Sequence, residues 1–273
     1  MKMEPQFAFI GAGNMARAMI EGLITSGFSP QQIRAVDPSK DALNILAEKG
    51  VSRLDTSPRD LLQDVDLLIL SVKPQVVPEV MAEVRALLEP STPLLSIAAG
   101  VSTVSLQNQT GLSIPIIRCM PNLPAMIGRG ASALFGSSLV KPSHRHLATQ
   151  VMDAIGLTVW VEEETLLDAV TAVSGSGPAY FFSLIEAVIK SGTELGLNRE
   201  TATALTLQTA LGAAELATQS EAPVDTLRKN VASPGGTTER ALEVLDAGNF
   251  QGLIRSAVRQ CAARSKELGK EVG

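Results

Sequence analysis

A short apolar segment, Phe7-Ala8-Phe9-Ile10, runs directly into Gly11-Ala12-Gly13-Asn14-Met15-Ala16. It is followed by a stretch, Met15–Thr25, whose apolar residues recur every three or four positions. This succession constrains the fold more than any other feature of the chain. Four apolar residues followed by helical periodicity mark a strand feeding a helix, and so short a link makes the helix pack back on the sheet. Gly11 permits the tight turn, Gly13 lets another molecule approach the backbone, and Ala16 is small enough for close helix–strand packing. The helix start also directs N–H donors and the positive end of its dipole at the same point. Gly11, Ala12, Gly13, Asn14, Met15 and Ala16 therefore read as a turn that can hold the pyrophosphate of a dinucleotide. A plain strand-to-helix turn is the alternative.

Similar runs recur at Ile33–Val36, Leu67–Leu70, Leu94–Ile97 and Ile114–Ile117, with helical periodicity over Asp41–Glu48 and Val76–Leu88. Nearly continuous apolar strands suit a parallel sheet covered on both faces. Their alternation with helices predicts a doubly wound α/β domain over residues 1–162. Lys73-Pro74 closes the third run, because proline cannot donate to a ladder. From 163 to 273 only helices are expected, at Leu166–Val173, Tyr180–Leu195, Arg199–Thr218, Val224–Val231, Glu239–Leu245 and Leu253–Leu268. Asn198 and Pro223 stand at starts, Gly196 and Gly248 at stops. Thr201–Ala217 is apolar or small all round, with Glu215 its one charge. A helix without a solvent face belongs in a larger core or a subunit interface, and a helical half of this size favours the interface.

Apolar residues make up 45% of the 273, enough for a core and an interface together. A net charge of −5 with no Lys or Arg run argues against a nucleic-acid partner. Phe7–Ile10 is too short for a signal peptide's apolar region. Ala179–Ile189 carries Glu186 and falls short of the roughly 20 residues of a bilayer span, so a cytoplasmic protein without a membrane partner is expected. Cys119 and Cys261 match no metal spacing and read as free thiols of a reducing compartment. The two histidines, His144 and His146, lie in a polar helix start and read as a solvated face, so neither a metal site nor a Ser-His-Asp apparatus is expected.

Three further segments carry candidate chemistry. Asp37 ends the second strand: either it takes the ribose 2′-hydroxyl, which favours NADH, or it opens a turn with Pro38, leaving Ser39 and Lys40 for a 2′-phosphate. Ser233-Pro234-Gly235-Gly236-Thr237-Thr238 precedes a helix-forming run. Its glycines allow N–H groups to face an anion and its hydroxyls add donors; a loop with a threonine cap is the other reading. Ser174-Gly175-Ser176-Gly177-Pro178 is either a domain hinge or a point of close approach to a nicotinamide or a neighbouring subunit.

Together these segments resemble the pyrroline-5-carboxylate reductases. The resemblance spans nearly the whole chain and is carried by Phe9–Ala16, Val72-Lys73-Pro74-Gln75, Ser96–Val101, Arg118-Cys119-Met120-Pro121-Asn122, Asp168–Tyr180 and Ser233–Thr238, the last two being the most specific. It implies a Rossmann domain followed by an all-helical C-terminal dimerisation domain, in a homodimer or larger oligomer whose partner subunit completes each active site. It implies NADPH as cofactor, with NADH open. The implied cofactor contacts are the Gly11–Ala16 turn, Asp37, Ser39, Lys40, Val72, Lys73, Pro74, Ala98, Ala99 and Gly100. The implied substrate contacts are Ser233, Gly235, Gly236, Thr237 and Thr238, with the N–H groups of Gly235, Gly236 and Thr237 on the carboxylate and Thr238 as catalytic residue at the ring nitrogen. The implied reaction is hydride transfer to the imine carbon, giving proline. Two positions depart from the family pattern: Pro58 replaces a common asparagine near the ribose, and Leu123 replaces a threonine.

Overall fold

The computed structural model describes residues 4–54 and 57–272. Eight strands form one sheet: β1 (Phe7–Ile10), β2 (Ile33–Val36), β3 (Arg53–Leu54), β4 (Leu67–Leu70), β5 (Leu94–Ser96), β6 (Ile116–Met120), β7 (Gly130–Gly136) and β8 (Gly156–Trp160). Their spatial order is β3-β2-β1-β4-β5-β6-β7-β8. The first six are parallel, β7 runs antiparallel to β6, and β8 is parallel to β7. The six parallel strands follow the doubly wound order of dinucleotide-binding folds.

The period of two along each strand decides which helix covers which face. Phe7, Phe9, Ile33, Ala35, Leu67 and Ile69 face one side. There they meet α1 (Asn14–Thr25), α2 (Lys40–Glu48) and α6 (Pro142–Asp153) through Met19, Ile20, Leu46 and Val151. Ala8, Ile10, Leu68, Leu70 and Leu94 face the other side, against α3 (Pro58–Leu62), α4 (Val77–Val84) and α5 (Thr103–Thr110) through Leu61, Met81 and Leu106. The strands are thus apolar on both faces, as a parallel sheet between two helix layers requires.

Compactness divides the chain differently from the shift in composition at 162/163. One unit comprises residues 1–176 together with 261–273, and the other residues 177–260. The helix α7 (Leu166–Val170) and a π-turn over Thr171–Gly175 stay with the sheet unit. The last turns of α12 (Phe250–Val272) also belong there: Ser265 Oγ donates to Asp168 Oδ1 at 2.7 Å, and Gly269 packs against Gly100. The expected loop over Ser174–Pro178 is helical. Ser176 N–H donates to Thr171 O at 2.8 Å, a π-type bond that carries the chain into α8 (Gly177–Glu194) without a break. The apolar helical run is therefore Leu166–Glu194, 29 residues and not the 11 of Ala179–Ile189; by length and composition alone it could cross a membrane.

The second unit contains α8, α9 (Arg199–Gln219), α10 (Val224–Val231), α11 (Thr237–Ala247) and the first half of α12. Within it Gly192 of α8 meets Ala202 of α9. On α9, Leu205, Leu207, Leu211 and Leu216 are each about half exposed or more, so the all-round apolar helix lacks a cover within its own chain. Burying one such leucine stabilises by about 1.5–3 kcal/mol. Leu211→Glu is therefore expected to weaken self-association by at least about ten-fold and to lower the sedimenting mass. An unchanged mass at low concentration would place the covering surface elsewhere.

Candidate functional site

The loops of the sheet unit that leave the C-terminal ends of β1, β2, β4 and β5 carry the expected cofactor residues. Gly11 has φ +98°, and a Cβ there would lie 2.3 Å from the Ser71 carbonyl oxygen, so the turn between β1 and α1 admits only glycine. Gly13 differs. Its backbone is extended, and a Cβ would meet no protein atom within 4 Å. Nothing among the described residues fills the space beside that backbone, which is open to close approach. Gly13 also has no side chain to cap α1, whose first N–H groups lack intrahelical partners. Ala12 and Ala16 are fully buried beneath the turn, while Asn14 is exposed and Met15 half-buried. An extended diphosphate fits this arrangement.

Asp37 pins the turn from the next strand. Its Oδ2 accepts the Ala12 N–H at 2.7 Å and its Oδ1 accepts the Ser39 N–H at 2.8 Å. Asp37 here has the geometry of a turn former. Ser39 caps α2 by accepting the Ala42 N–H at 3.3 Å, and Lys40 is exposed at the first position of that helix. Pro58 likewise occupies a first helical position, in α3 behind the Ser57 cap.

A cavity of about 380 Å³ opens at the ends of β4, β5 and β6. Pro74, Ala98, Ala99 and Gly100 line it, whereas Val72 is half-buried and Lys73 exposed on the approach. Residues without an assigned role join them: Arg118 from β6, Thr171 and Ser176 from the π-turn, and Cys261, Arg264 and Ser265 from α12. Arg118 carried a signal, since a charge inside an apolar strand needs a reason. The α12 residues carried no local motif. Cys261 Sγ donates to Ser176 Oγ at 3.2 Å.

Behind the wall of this cavity, Glu164 accepts the Thr103 N–H at 2.8 Å, the Thr103 hydroxyl at 2.6 Å and Arg118 Nη1 at 2.7 Å. Burial pushes its carboxyl upward, but the bonds from Thr103 and Arg118 outweigh it and hold the group below its ordinary range. The stability this adds is complete above that range and is lost as pH falls below it. Two other ionisable side chains are buried in the fold. Cys119 is buried and its thiol is pushed far up by desolvation, with only partial relief from Ser132. His144 is buried and not on a solvated face: its Nδ1 accepts the Lys141 N–H at 3.2 Å, capping α6, and burial and Lys141 lower its basicity. Among the described residues no group of three or more His, Cys, Asp or Glu could hold a metal.

In the second unit, Ser233–Thr238 forms a turn that opens α11. Gly235 has φ +71°, Gly236 is the N-cap, and no side chain caps the helix there. Ser233, Gly235 and Thr237 are exposed, Gly236 and Thr238 half-buried. Two of the three N–H groups expected to hold a carboxylate are engaged within the chain. That of Gly236 donates to Ser233 O at 2.9 Å, and that of Gly235 to Glu239 Oε2 at 2.6 Å. The turn thus already carries a carboxylate of its own.

A doubly wound sheet with an open glycine turn after its first strand, followed by a helical half, is the class of fold found in two-part dinucleotide-dependent oxidoreductases. Two family models match: residues 164–268 fit pyrroline-5-carboxylate reductase dimerisation, and residues 6–100 fit NADP oxidoreductase, coenzyme F420-dependent. A pyrroline-5-carboxylate reductase of Pseudomonas aeruginosa is 44% identical over 269 residues, covering 98% of each chain. The solved structure of the Coxiella burnetii pyrroline-5-carboxylate reductase superposes with a TM-score of 0.93 at 39% identity, covering 97% of this chain and 98% of that one. That of the Plasmodium falciparum pyrroline carboxylate reductase with NADP bound gives 0.85 at 28% identity over the same shares. The chain belongs to the pyrroline-5-carboxylate reductase family.

The geometry of Asp37 sets a test. Asp37→Ala removes two hydrogen bonds to backbone without vacating a ribose site, so NADH and NADPH should both bind about ten-fold more weakly with their ratio unchanged. A rise in NADPH preference in parallel titrations would instead put Asp37 on the ribose.

Proposed function

We propose that the chain reduces 1-pyrroline-5-carboxylate to L-proline, the last step of proline biosynthesis, with NADPH as donor and NADH as an alternative, and that it does so in the cytoplasm. The turn at residues 233–238 carries this reading: a hydroxyl-rich turn with a positive φ opens a helix in a chain whose other half holds a dinucleotide turn. The fit of the Gly11–Ala16 turn to a diphosphate supports the cofactor.

Bound NADPH supplies a hydride. The remaining work falls to the chain. Gly11–Ala16 would hold the diphosphate, with Asp37 keeping the turn in shape. Ser39 and Lys40, at the start of α2, would receive a 2′-phosphate. Val72, Lys73 and Pro74 would border the nicotinamide half, and Ala98, Ala99 and Gly100 would line it.

The Thr237 N–H, at the first position of α11, would take the substrate carboxylate, and the Gly235 N–H would join when the exposed Glu239 side chain swings away. Ser233 would add a hydroxyl, the Gly236 cap keeps the turn open, and the Thr238 hydroxyl would meet the ring nitrogen. A protonated cyclic imine is already electrophilic, so no strong acid is needed. Alignment of donor and acceptor supplies the catalysis, worth roughly 7–11 kcal/mol where it is complete. The uncovered apolar faces of α8 and α9 support a homo-oligomer, in which the partner's helices would complete each site.

The direct test follows loss of reduced-nicotinamide absorbance with pyrroline-5-carboxylate, with NADPH and NADH side by side. Turnover supports the reading; cofactor binding without turnover would overturn it. Thr238→Ala is expected to lower kcat about ten-fold while nucleotide affinity holds. Unchanged kcat and KM for the imine would remove Thr238 from the reaction.

A further inference from the structure

We propose that Glu164 is a positioning residue for the nicotinamide half of the cofactor site: it holds the Ala98–Val101 turn and the Arg118 guanidinium where they line the cavity. This rests on the proposed cofactor reading. The two halves of a doubly wound sheet each take one mononucleotide. With the glycine turn and Asp37 at β1 and β2, the cavity at β4, β5 and β6 is where the nicotinamide half falls.

The turn that lines this cavity is weakly restrained by itself. Its own bonds are long: Ala98 N–H to Ser96 Oγ at 3.3 Å and Val101 N–H to Ala98 O at 3.4 Å. Val101 is buried and anchors one point. Ala98 is buried as well and Gly100 packs against Gly269, but the hydrogen-bonded anchor is Thr103, two residues beyond Val101 at the first position of α5, and both its donors end on Glu164. A carboxylate at that helix start is also favoured by the helix dipole. Glu164 comes from the segment between β8 and α7, 61 residues away in sequence, so it fixes the turn against a different part of the unit.

The same carboxylate neutralises Arg118, whose side chain is only 16% exposed and lies on the cavity wall. Without Glu164 a half-buried cation would face the cavity unpaired, and removing one member of such a pair leaves the other's charge uncompensated. A nicotinamide ring, cationic once oxidised, would meet that charge. Glu164 thus sets both the shape and the electrostatic neutrality of the wall without touching the ligand.

The test compares wild type, Glu164→Gln and Thr103→Val as full-length chains in their natural oligomer. Each is titrated with NADPH, NADP⁺ and 2′-phospho-ADP-ribose, which lacks the nicotinamide, and assayed for turnover. Glu164→Gln is expected to weaken both nicotinamide nucleotides by about ten-fold, NADP⁺ more than NADPH. The affinity for 2′-phospho-ADP-ribose and the KM for the imine should stay near wild type, while the melting midpoint falls because the carboxylate's contribution to stability is lost. Thr103→Val, which keeps the shape and removes the hydroxyl, should show a smaller loss of the same selectivity. Equal weakening of all three nucleotides, or none, would overturn the proposal. Should Glu164→Gln fail to fold, Thr103→Val decides by the same comparison. Wild type that binds NADPH but does not reduce the imine would refute the proposed reaction, while the titrations still decide the role of Glu164.

Discussion

The first unit depends on the placement of β1 between two parallel neighbours. Phe9 lies opposite Ala35 of β2 and Ile69 of β4, so β1 is hydrogen-bonded along both edges and its ends cannot slip. The ladder runs one residue beyond the strands and stops: the Gly11 N–H donates to Val36 O, and the Ser71 N–H to Ile10 O, each at 2.8 Å. At that point the strand order reverses, from β2 on one side of β1 to β4 on the other. The chain connections diverge to opposite faces there and leave a crevice. Because the strands are parallel, the loops after β1, β2, β4 and β5 all open at the same edge, and a ligand lying along it meets all four.

The second unit poses the opposite problem. Its helices present Phe181, Phe182, Leu205, Leu211 and Leu253 on the surface, each more than half exposed. Nothing among the described residues covers them, and exposed apolar patches mark interaction surfaces. The match of residues 164–268 to a dimerisation family accounts for that composition. Where such a surface is buried by self-association, the stability gained depends on protomer concentration.

The parallel core was legible because strands β1, β2, β4, β5 and β6 are apolar on both faces and their helices keep a clear period. Ile114–Ile117 was displaced to Ile116–Met120 because the apolar run begins before Pro115, which has no N–H for the ladder. β7 escaped notice since Gly130-Ala131-Ser132-Ala133 is small rather than strand-like, and α5 because Thr103–Thr110 is rich in poor helix formers. The π-turn at Thr171–Gly175 looked like a loop because its glycines and serines are turn residues; tertiary bonds hold it, with Asn122 Nδ2 donating to Ser174 O at 3.1 Å and Ser174 Oγ to Ala131 O at 3.0 Å. At the site, the glycine and threonine turns were legible from local pattern. The α12 residues on the cavity were not, since their role arises from contacts such as Ser265 with Asp168, 97 positions apart.

The same physics explains why two carboxylates with no role in the chemistry matter to the site. A loop beyond the end of a strand has left the ladder, and its N–H groups need other partners. Water could supply them but would leave the loop mobile. A carboxylate from a separate segment supplies two acceptors at once and forms the stronger, charge-assisted class of bond. Asp37 does this for the turn after β1 from 25 residues away, and Glu164 for the segment after β5 from 61. Each accepts backbone N–H groups of the loop it braces, which fixes the shape of the sheet edge. For a reaction that needs alignment more than acid–base power, rigid walls of this kind count for more than a reactive side chain. Two groups that could have supplied such power are tied up in the fold: His144 caps a helix, and the thiol of Cys119 is held protonated by burial.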